Sequence, residues 1–436
     1  MYKDFLKYVI PSMIAFALSG IYAIVDAFFI GNSMGDIGLA AINIAYPLTA
    51  LIVSIGTGIG MGGAIHYAIY KAAKREHEAN RYLAISIILL LVSSLVIMVL
   101  FFAFSNQLLQ MFGASGELLE LCQGYMFYIT LGTIFQMLGT GLVPFIRNMN
   151  SSFEAMVMMI VGFVGNVFFD YLLVWKYPYG IKGAAIASSV GQAMTALCAI
   201  YFLYQKRHSL RVVWDMGWQR QLVNVIKVGI SPFGATLIPN ITLIFINRSA
   251  IEVGGDLAVS SYAVISYISY VVLLLLQGIS DGSQPLISTY YGKDEKTKCI
   301  KIRNIAYVSV MILSILANIT IYVYRYKISI LFGASNDVVI DVANIINIFL
   351  MGIPFAGISK ITTSYFYASN NNLPASILIY LEPTILIIGI MILPNILGIT
   401  GTWLATPVSQ IVISILGIII LNIVKIKNKP RKVYQP

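Results

Sequence analysis

The chain contains 436 residues, of which 58% are hydrophobic and only 11% are charged. Soluble domains carry about 25% charged residues, so this composition excludes a soluble globular protein. At about 20 residues per membrane-spanning helix, the length allows roughly a dozen spans and little room for a domain outside the membrane. In a membrane protein the net charge of +10 indicates basic loops on one side rather than a nucleic-acid partner, and we expect no such partner.

Apolar runs bounded by charged or turn-forming residues predict an all-α polytopic membrane protein with twelve transmembrane helices. In chain order they lie near residues 8–30, 44–69, 83–104, 124–146, 154–175, 183–204, 224–247, 258–289, 304–324, 342–367, 375–395 and 402–424. The first run is longer than the apolar part of a signal peptide, and we interpret it as a retained helix. If both termini are cytoplasmic, the inner segments contain 22 of the 28 Lys and Arg residues. The positive-inside rule therefore predicts cytoplasmic termini.

The two halves of the chain resemble each other at a constant offset, roughly half the length of the chain. LLQMFGAS at 108–115 matches ISILFGAS at 328–335, and IKGAAIASSVGQ at 181–192 matches ITGTWLATPVSQ at 399–410. Two copies of one six-helix unit explain this pattern. Because six is an even number, both copies enter the membrane from the same side and are related by a pseudo-twofold axis along the membrane normal.

The repeat predicts an N-terminal lobe at 1–204 and a C-terminal lobe at 224–436 that ends in a basic cytoplasmic tail. A cytoplasmic linker at 205–223 joins them, and its Trp214 and Trp218 suit an amphipathic stretch at the inner membrane surface. A substrate cavity is expected between the lobes.

Two carboxylates are predicted to share a pocket in the N-terminal lobe. Asp26 lies four residues before Ile30, roughly 6 Å from the outer end of its span, and Asp170 is similarly placed in the fifth span. Asn166 lies one turn below Asp170, and Ser188 offers a hydroxyl. Carboxylates at membrane depth cost about 3 kcal/mol, so they are functional candidates unless they only hold two helices together. One could accept a proton, or the oxygens could bind Na+, and both ions remain open.

Two further acidic residues fall within spans of the C-terminal lobe. Asp281 in the eighth span and Glu382 in the eleventh lie near the midplane or in the inner half. They are predicted to line the cytoplasm-facing part of the central cavity, where they would attract cationic, amphipathic substrates, or to have a purely structural role.

One apparent motif is better explained by packing. Gly58-x-Gly60-x-x-Gly63 fits a dinucleotide-binding pattern but lies inside the second helix. Close helix packing through Gly56, Gly60 and Gly62 is the expected role. No hydrolase triad, phosphate-binding loop or metal-ligand motif occurs in the sequence, so we expect neither an enzyme nor a metal other than Na+ at the carboxylate pocket.

Four segments resemble the multidrug and toxic compound extrusion (MATE) transporters of bacteria. They are IPSMIAFALSGIYAIVDAFFIG at 10–31, VGNVFFDYLLV at 164–174, IKGAAIASSVGQ at 181–192 and QGISDGSQPLISTYYG at 277–292. The resemblance covers essentially the whole chain. It implies a V-shaped pair of six-helix lobes in the inner membrane of a bacterium, alternating access, and export of xenobiotics, including antibiotics, in exchange for H+ or Na+. It also implies that Asp26, Asn166 and Asp170 match the cation site of the bacterial family, whereas Asp281 and Glu382 are less regular features.

The favoured hypothesis is a secondary multidrug efflux antiporter that exports amphipathic cations by alternating access, with H+ or Na+ as coupling ion and no cofactor. The alternative is a flippase for lipid-linked or polyisoprenoid-linked molecules. A flippase would need basic residues to hold a phosphate, and only Arg147, Arg248 and Lys360 stand in or near spans apart from the loops. An intramembrane enzyme is disfavoured by the repeat. We expect a monomer whose partners are membrane lipids and small-molecule substrates.

Overall fold

The computed structural model describes residues 1–206, 217–331 and 334–424. Within these ranges the protein is helical throughout, with short turns and no strand. The helices are α1 Tyr2–Ala72, α2 Glu76–Met111, α3 Gly116–Leu131, α4 Thr133–Asn148, α5 Ser152–Asp170, a π-helical turn Tyr171–Lys176, α6 Ile181–Gln205, α7 Trp218–Gly292, α8 Lys296–Leu331, α9 Asn336–Ala368, α10 Asn372–Leu397 and α11 Ile399–Ile423.

Two of these helices are too long to cross a membrane once. Helix α1 has 71 residues and α7 has 75; at 1.5 Å per residue each would extend about 100 Å, far beyond a hydrocarbon core of roughly 30 Å. Each is interrupted by a glycine with non-helical backbone angles, Gly35 (φ 65°, ψ −153°) and Gly255 (φ 68°, ψ −162°). Glycine adopts this positive φ without the strain that a Cβ would impose. Helices α1 and α7 therefore each contain two predicted spans.

The number of spans agrees with the sequence prediction. Among the described residues, nine helical segments are long and apolar enough to cross a membrane, and α3 with α4 forms a tenth. Since α1 and α7 each contain two spans, these ten candidates comprise twelve, and the predicted all-α polytopic fold is confirmed. The helices exceed the predicted spans: α2 covers Glu76–Met111 around the predicted 83–104, because hydropathy detects only the part of a helix inside the hydrocarbon.

The internal repeat is visible in the helix boundaries. The first residues of α2 and α8, Glu76 and Lys296, have the same separation along the chain as the glycine breaks at Gly35 and Gly255. The first residues of α5 and α10, Ser152 and Asn372, share it too, and α6 and α11 follow nearly the same offset. The two halves of the chain therefore have the same order and spacing of helices. The domain boundaries predicted at 204 and 224 remain a prediction.

The two halves differ in the regularity of their helices. The predicted fourth span, 124–146, is not one straight helix but α3 and α4, bent by 56°, with Gly132 between them. A Cβ on Gly132 would lie 2.3 Å from the Ser189 hydroxyl oxygen of α6, so this position requires glycine for close packing. The equivalent α9 runs unbroken over Asn336–Ala368. The π-helical turn after Asp170 is likewise limited to the N-terminal half among the described residues.

The halves pack most closely on the side of the molecule where α1 begins, which we call the terminal side. A Cβ on Gly62 would lie 2.2 Å from the Val225 carbonyl oxygen, and one on Gly282 would lie 2.6 Å from the Val9 Cα. The expected packing role of Gly62 is therefore confirmed, and the contact joins the two halves. Gly60 packs within its own half, on Gly141 of α4. Backbone-to-backbone contact closes the terminal side against passage between the halves.

Some predicted features lie outside the described residues. They include Trp214 and most of the linker, Phe332 and Gly333 of the second repeat motif, and the basic tail from residue 425 onward. Trp218 is the first residue of α7.

Candidate functional site

The pocket predicted in the N-terminal half is built by α1, α5 and α6. Asp26 lies in the first span of α1, nine residues before the break at Gly35, which is about 13 Å along the helix. The helix continues beyond Ile30 to this break, and the predicted depth of Asp26, roughly 6 Å from the outer end of the apolar run, stays a prediction. Asp170 is the last residue of α5 before the π-helical turn. Both carboxylates therefore lie within helical segments that are long and apolar enough to cross a membrane.

The structure brings the two carboxylates together. Asp26 and Asp170 are close enough to interact directly, and the Asp170 side chain is fully buried. Neither Asp170 oxygen, nor Oδ1 of Asp26, has a hydrogen-bond partner of normal geometry among the described residues. No basic side chain of the described ranges forms an ion pair with either acid. The site thus concentrates carboxylate oxygens without any cation supplied by this part of the chain.

Asn166 and Ser188 lie beside the carboxylate pair. The Asn166 amide is 3.5 Å from the Ser188 hydroxyl oxygen, and Asn166 Oδ1 is buried without a partner. Tyr22 also belongs to the site, although the sequence analysis did not single it out: its hydroxyl is 3.0 Å from that of Ser188. Its position one turn before Asp26 on α1 was the signal that could have identified it.

This arrangement is suited to a small cation. Unpartnered carboxylate and amide oxygens in a buried site are costly, since burial without hydrogen bonds or charge pairing disfavours polar groups. A proton on one carboxyl group would remove a negative charge and let it donate to the other. A hard cation would instead be bound by several of the same oxygens. The geometry supports both forms of neutralisation.

The C-terminal acids have a different environment, because basic residues accompany them. Asp281 of α7 forms an ion pair with Arg147 of α4, Oδ2 to Nη1, at 3.2 Å, and accepts a hydrogen bond from the Gln277 amide at 2.7 Å. Lys360 of α9 donates to the Gln277 carbonyl oxygen at 2.8 Å. Glu382 of α10 is near enough to Lys360 to interact electrostatically.

From the sequence, Asp281 and Glu382 were predicted to line the cavity, and their basic neighbours were not predicted. Both oxygens of Asp281 are engaged and the residue is 5% exposed, so its surroundings favour a structural bridge between the halves over a contact with substrate. Glu382 is half-buried and forms no ion pair within the described ranges. Its place in the cavity stays a prediction.

The chain is similar to one known protein family and to individual multidrug export proteins. The sequence model of the MatE family matches residues 11–172 and 233–381. The multidrug export protein MepA of Staphylococcus haemolyticus (strain JCSC1435) is 24% identical over 423 residues, covering 97% of this chain and 93% of the relative. MepA of Staphylococcus aureus (strain MSSA476) is 23% identical over 403 residues, covering 92% and 89%.

Solved structures with the same fold were also found. An outward-facing conformation of a multidrug resistance MATE family transporter of the MOP superfamily superimposes with a TM-score of 0.91 at 20% sequence identity, covering 97% of this chain and 95% of the other. A MOP superfamily transporter from Pyrococcus furiosus, described as having a binding pocket of reverse polarity, superimposes with a TM-score of 0.90 at 20% sequence identity. The match covers 97% of this chain and 95% of the other. At this identity the likeness establishes the arrangement of twelve spans in two lobes and nothing finer.

Proposed function

The chain belongs to the MatE family and is a transporter rather than an enzyme, and from this premise we propose that it is an ion-coupled multidrug efflux antiporter. In this proposal it exports amphipathic, cationic compounds in exchange for H+ or Na+ by alternating access. The two lobes would open alternately to the two sides of the membrane around a central cavity.

The observation that carries the proposal is the carboxylate pair of the N-terminal lobe. Asp26 and Asp170 lie together at membrane depth with buried, unpartnered oxygens and no basic neighbour in the described ranges. A site of this kind is stable only when a cation neutralises it, so its occupancy must change the energy of the surrounding helices. We propose Asp26, Asp170, Asn166 and Ser188 as the coupling site. Cation binding there would bias the packing of α1, α5 and α6 between two conformations.

We propose Glu382 as a contact for the cationic part of the substrate. It is half-buried within the span formed by α10, and a carboxylate within a span attracts positive charge. A flippase for phosphate-bearing lipids would need a free basic group near this proposed substrate contact. The candidate, Lys360, is already engaged with Gln277 and lies between two acids. This surrounding charge favours cationic over anionic substrates and supports the antiporter.

We propose that the terminal side faces the cytoplasm of a bacterial cell. The segments that the sequence assigns to this side contain 22 of the 28 Lys and Arg residues of the chain, as the positive-inside rule requires. The two MepA relatives named above come from staphylococci, which is the support for a bacterial cytoplasmic membrane.

The test is efflux of ethidium from liposomes that contain the purified protein. An inward-directed pH gradient and an inward-directed Na+ gradient are imposed in separate experiments. We expect export under at least one gradient, and the effective gradient identifies the coupling ion. Protein-free liposomes under the same gradients measure leakage.

Two controls make the result specific. Asp26→Asn removes a site carboxylate, whereas Asp36→Asn removes an exposed acid from the same helix α1, beyond the Gly35 break. Export should be lost in the first variant and retained in the second. Absence of gradient-driven export by the folded wild-type protein would contradict the proposal and favour the flippase.

A further inference from the structure

The two lobes are joined on the terminal side by a pair of buried polar contacts. Arg147 of α4 reaches across to Asp281 of α7 at 3.2 Å. Next to it, the amides of Asn148 and Gln284 exchange two hydrogen bonds of 3.0 and 3.2 Å. All four residues are buried, and the most exposed of them, Asn148, is 8% exposed. Because α4 and α7 belong to different lobes, these contacts must break whenever the lobes separate on this side.

Breaking the ion pair has unequal consequences for its two members. Arg147 is in the last turn of α4, and Asn150, three residues later, is exposed. The long guanidinium side chain can therefore reach water when the lobes part. Asp281 has a short side chain and lies eleven residues before the end of α7, so it stays at membrane depth. A buried carboxylate that loses the cation with which it is paired is strongly destabilised unless another cation replaces it.

A second cation is already in place beside Asp281. Gln277 donates to Asp281 with its amide and accepts from Lys360 with its carbonyl oxygen, at 2.7 and 2.8 Å. One side chain thus separates the ammonium group from the carboxylate. The Ser280 hydroxyl also donates to the Lys360 carbonyl oxygen at 3.2 Å, which fixes α9 against α7 within the second lobe. Lys360 therefore remains next to Asp281 however the lobes move.

We propose that Asp281 exchanges partners during transport, pairing with Arg147 when the terminal side is closed and with Lys360 when it is open. Lys360 is then a positioning residue: it keeps the carboxylate neutralised after Arg147 has left and so makes the open form accessible. This role rests on the proposed alternating-access function and adds to it a reason for an intramembrane lysine that the coupling site does not use. The exchange needs only a movement of Lys360 past Gln277.

The test follows the opening of the terminal side directly. Spin labels are attached to the full-length protein at Ala73→Cys and Lys293→Cys, in a background without Cys122, Cys198 and Cys299. Both labelled positions are exposed and cap the terminal ends of α1 and α7, and Gly292 packs on Ile69 in the closed form. Electron–electron resonance in liposomes gives the populations of short and long distances, and ethidium efflux is measured on the same samples.

We expect Lys360→Met to lose the long-distance population and to reduce the transport rate by about tenfold or more, because opening would leave Asp281 unpaired. Lys360→Arg should retain both. Lys327→Met, which removes an exposed lysine from α8, is the matched control and should behave as the wild type. In the double variant Asp281→Asn/Lys360→Met the long-distance population should return, since residue 281 then carries no charge that opening would leave unpaired.

The proposal is overturned if Lys360→Met shows the wild-type distance populations, or if the double variant opens no better than Lys360→Met alone. A merely structural role for Lys360 would predict the second result, since removing Asp281 would not repair packing. Failure of the antiporter function itself would appear differently: the wild type would not export ethidium, whereas the distance measurement would still report whether its terminal side opens.

Discussion

The two lobes share a backbone plan but not their chemistry. At the offset that relates Gly35 to Gly255, Asp26 corresponds to Ile246 and Asp170 corresponds to Ile390. Ile246 is 3% exposed and belongs to the apolar core of the second lobe. The positions that hold the carboxylate pair in one lobe are therefore apolar in the other. The two halves of the repeat have the same arrangement of helices, and at these equivalent positions only the first lobe carries carboxylates.

The charged residues of the second lobe likewise have uncharged counterparts in the first lobe. Asp281 corresponds to Met61 and Lys360 to Thr140 in the repeat. These C-terminal charges are balanced within the protein by one another and by Arg147. Among the described residues, Asp26 and Asp170 of the first lobe therefore have no ion-pair partner, whereas Asp281 of the second lobe pairs with Arg147 and lies near Lys360. In our proposal, ion coupling and lobe closure are therefore assigned to separate lobes.

The largest effect is expected from removing the unpaired acids. Asp170→Asn should reduce ion-driven ethidium export to the level of protein-free liposomes, because an amide neither accepts a proton at physiological pH nor supplies a charge for Na+. The variant should insert and fold normally, since the wild-type carboxylates are costly to bury. Efflux assays with size-exclusion profiles as a folding control test this. Wild-type export by Asp170→Asn would show that the coupling site lies elsewhere.

A smaller effect is expected when a carboxylate is placed at the equivalent position of the other lobe. Ile246→Asp should destabilise the protein by about 3 kcal/mol, because the new charge has no partner in an apolar core. Ile246→Leu, which keeps volume and polarity, should cost less than about 1.5 kcal/mol. Thermal unfolding in detergent measures both. Equal stability of the Asp and Leu variants would mean that the second lobe tolerates an acid where the first lobe holds one, and would remove the contrast between them.

The smallest effect is expected at the predicted substrate contact. Glu382→Gln should weaken binding of cationic substrates by about 1 kcal/mol, which is roughly fivefold in KM, without changing which ion gradient drives export. Lys360 and the rest of the charge network remain in place. Dose–response curves for a panel of cationic and neutral compounds in the efflux assay test this. An unchanged KM for every cation would contradict the proposed role, and a changed ion requirement would place Glu382 in the coupling site instead.

Much of the candidate site could be predicted from the sequence. Asp26 and Asp170 stand out because ionisable residues are rare in apolar runs, and helical spacing places Asn166 on the face of Asp170. The proximity of the two carboxylates was also predicted, since both were assigned to the same part of one lobe. The depth of Asp26 in the membrane stays a prediction, because the helix extends beyond the apolar run from which that depth was measured. Tyr22 was missed, since a tyrosine in an aromatic-rich membrane protein carries little signal.

The charge network of the second lobe was not predictable in the same way. Arg147 and Asp281 are far apart in the chain and lie in different lobes. Their pairing depends on how the lobes pack, which no local pattern reports. Gln277 similarly gains its bridging role only because α7 and α9 bring Asp281 and Lys360 to its two ends. Hydropathy places these acids within spans but carries no information about which basic residues pair with them.

The sequence by itself determined the membrane environment, the twelve spans, the repeat and which acids fall within the spans. These features follow from local hydrophobicity and from spacing along the chain, because a bilayer requires long apolar helices and penalises each charge within them. Only the tertiary structure decided which charges are neutralised. An intramembrane acid is costly until its partner is known, and partners such as Arg147 and Lys360 are brought to it by the packing of helices far apart in the chain.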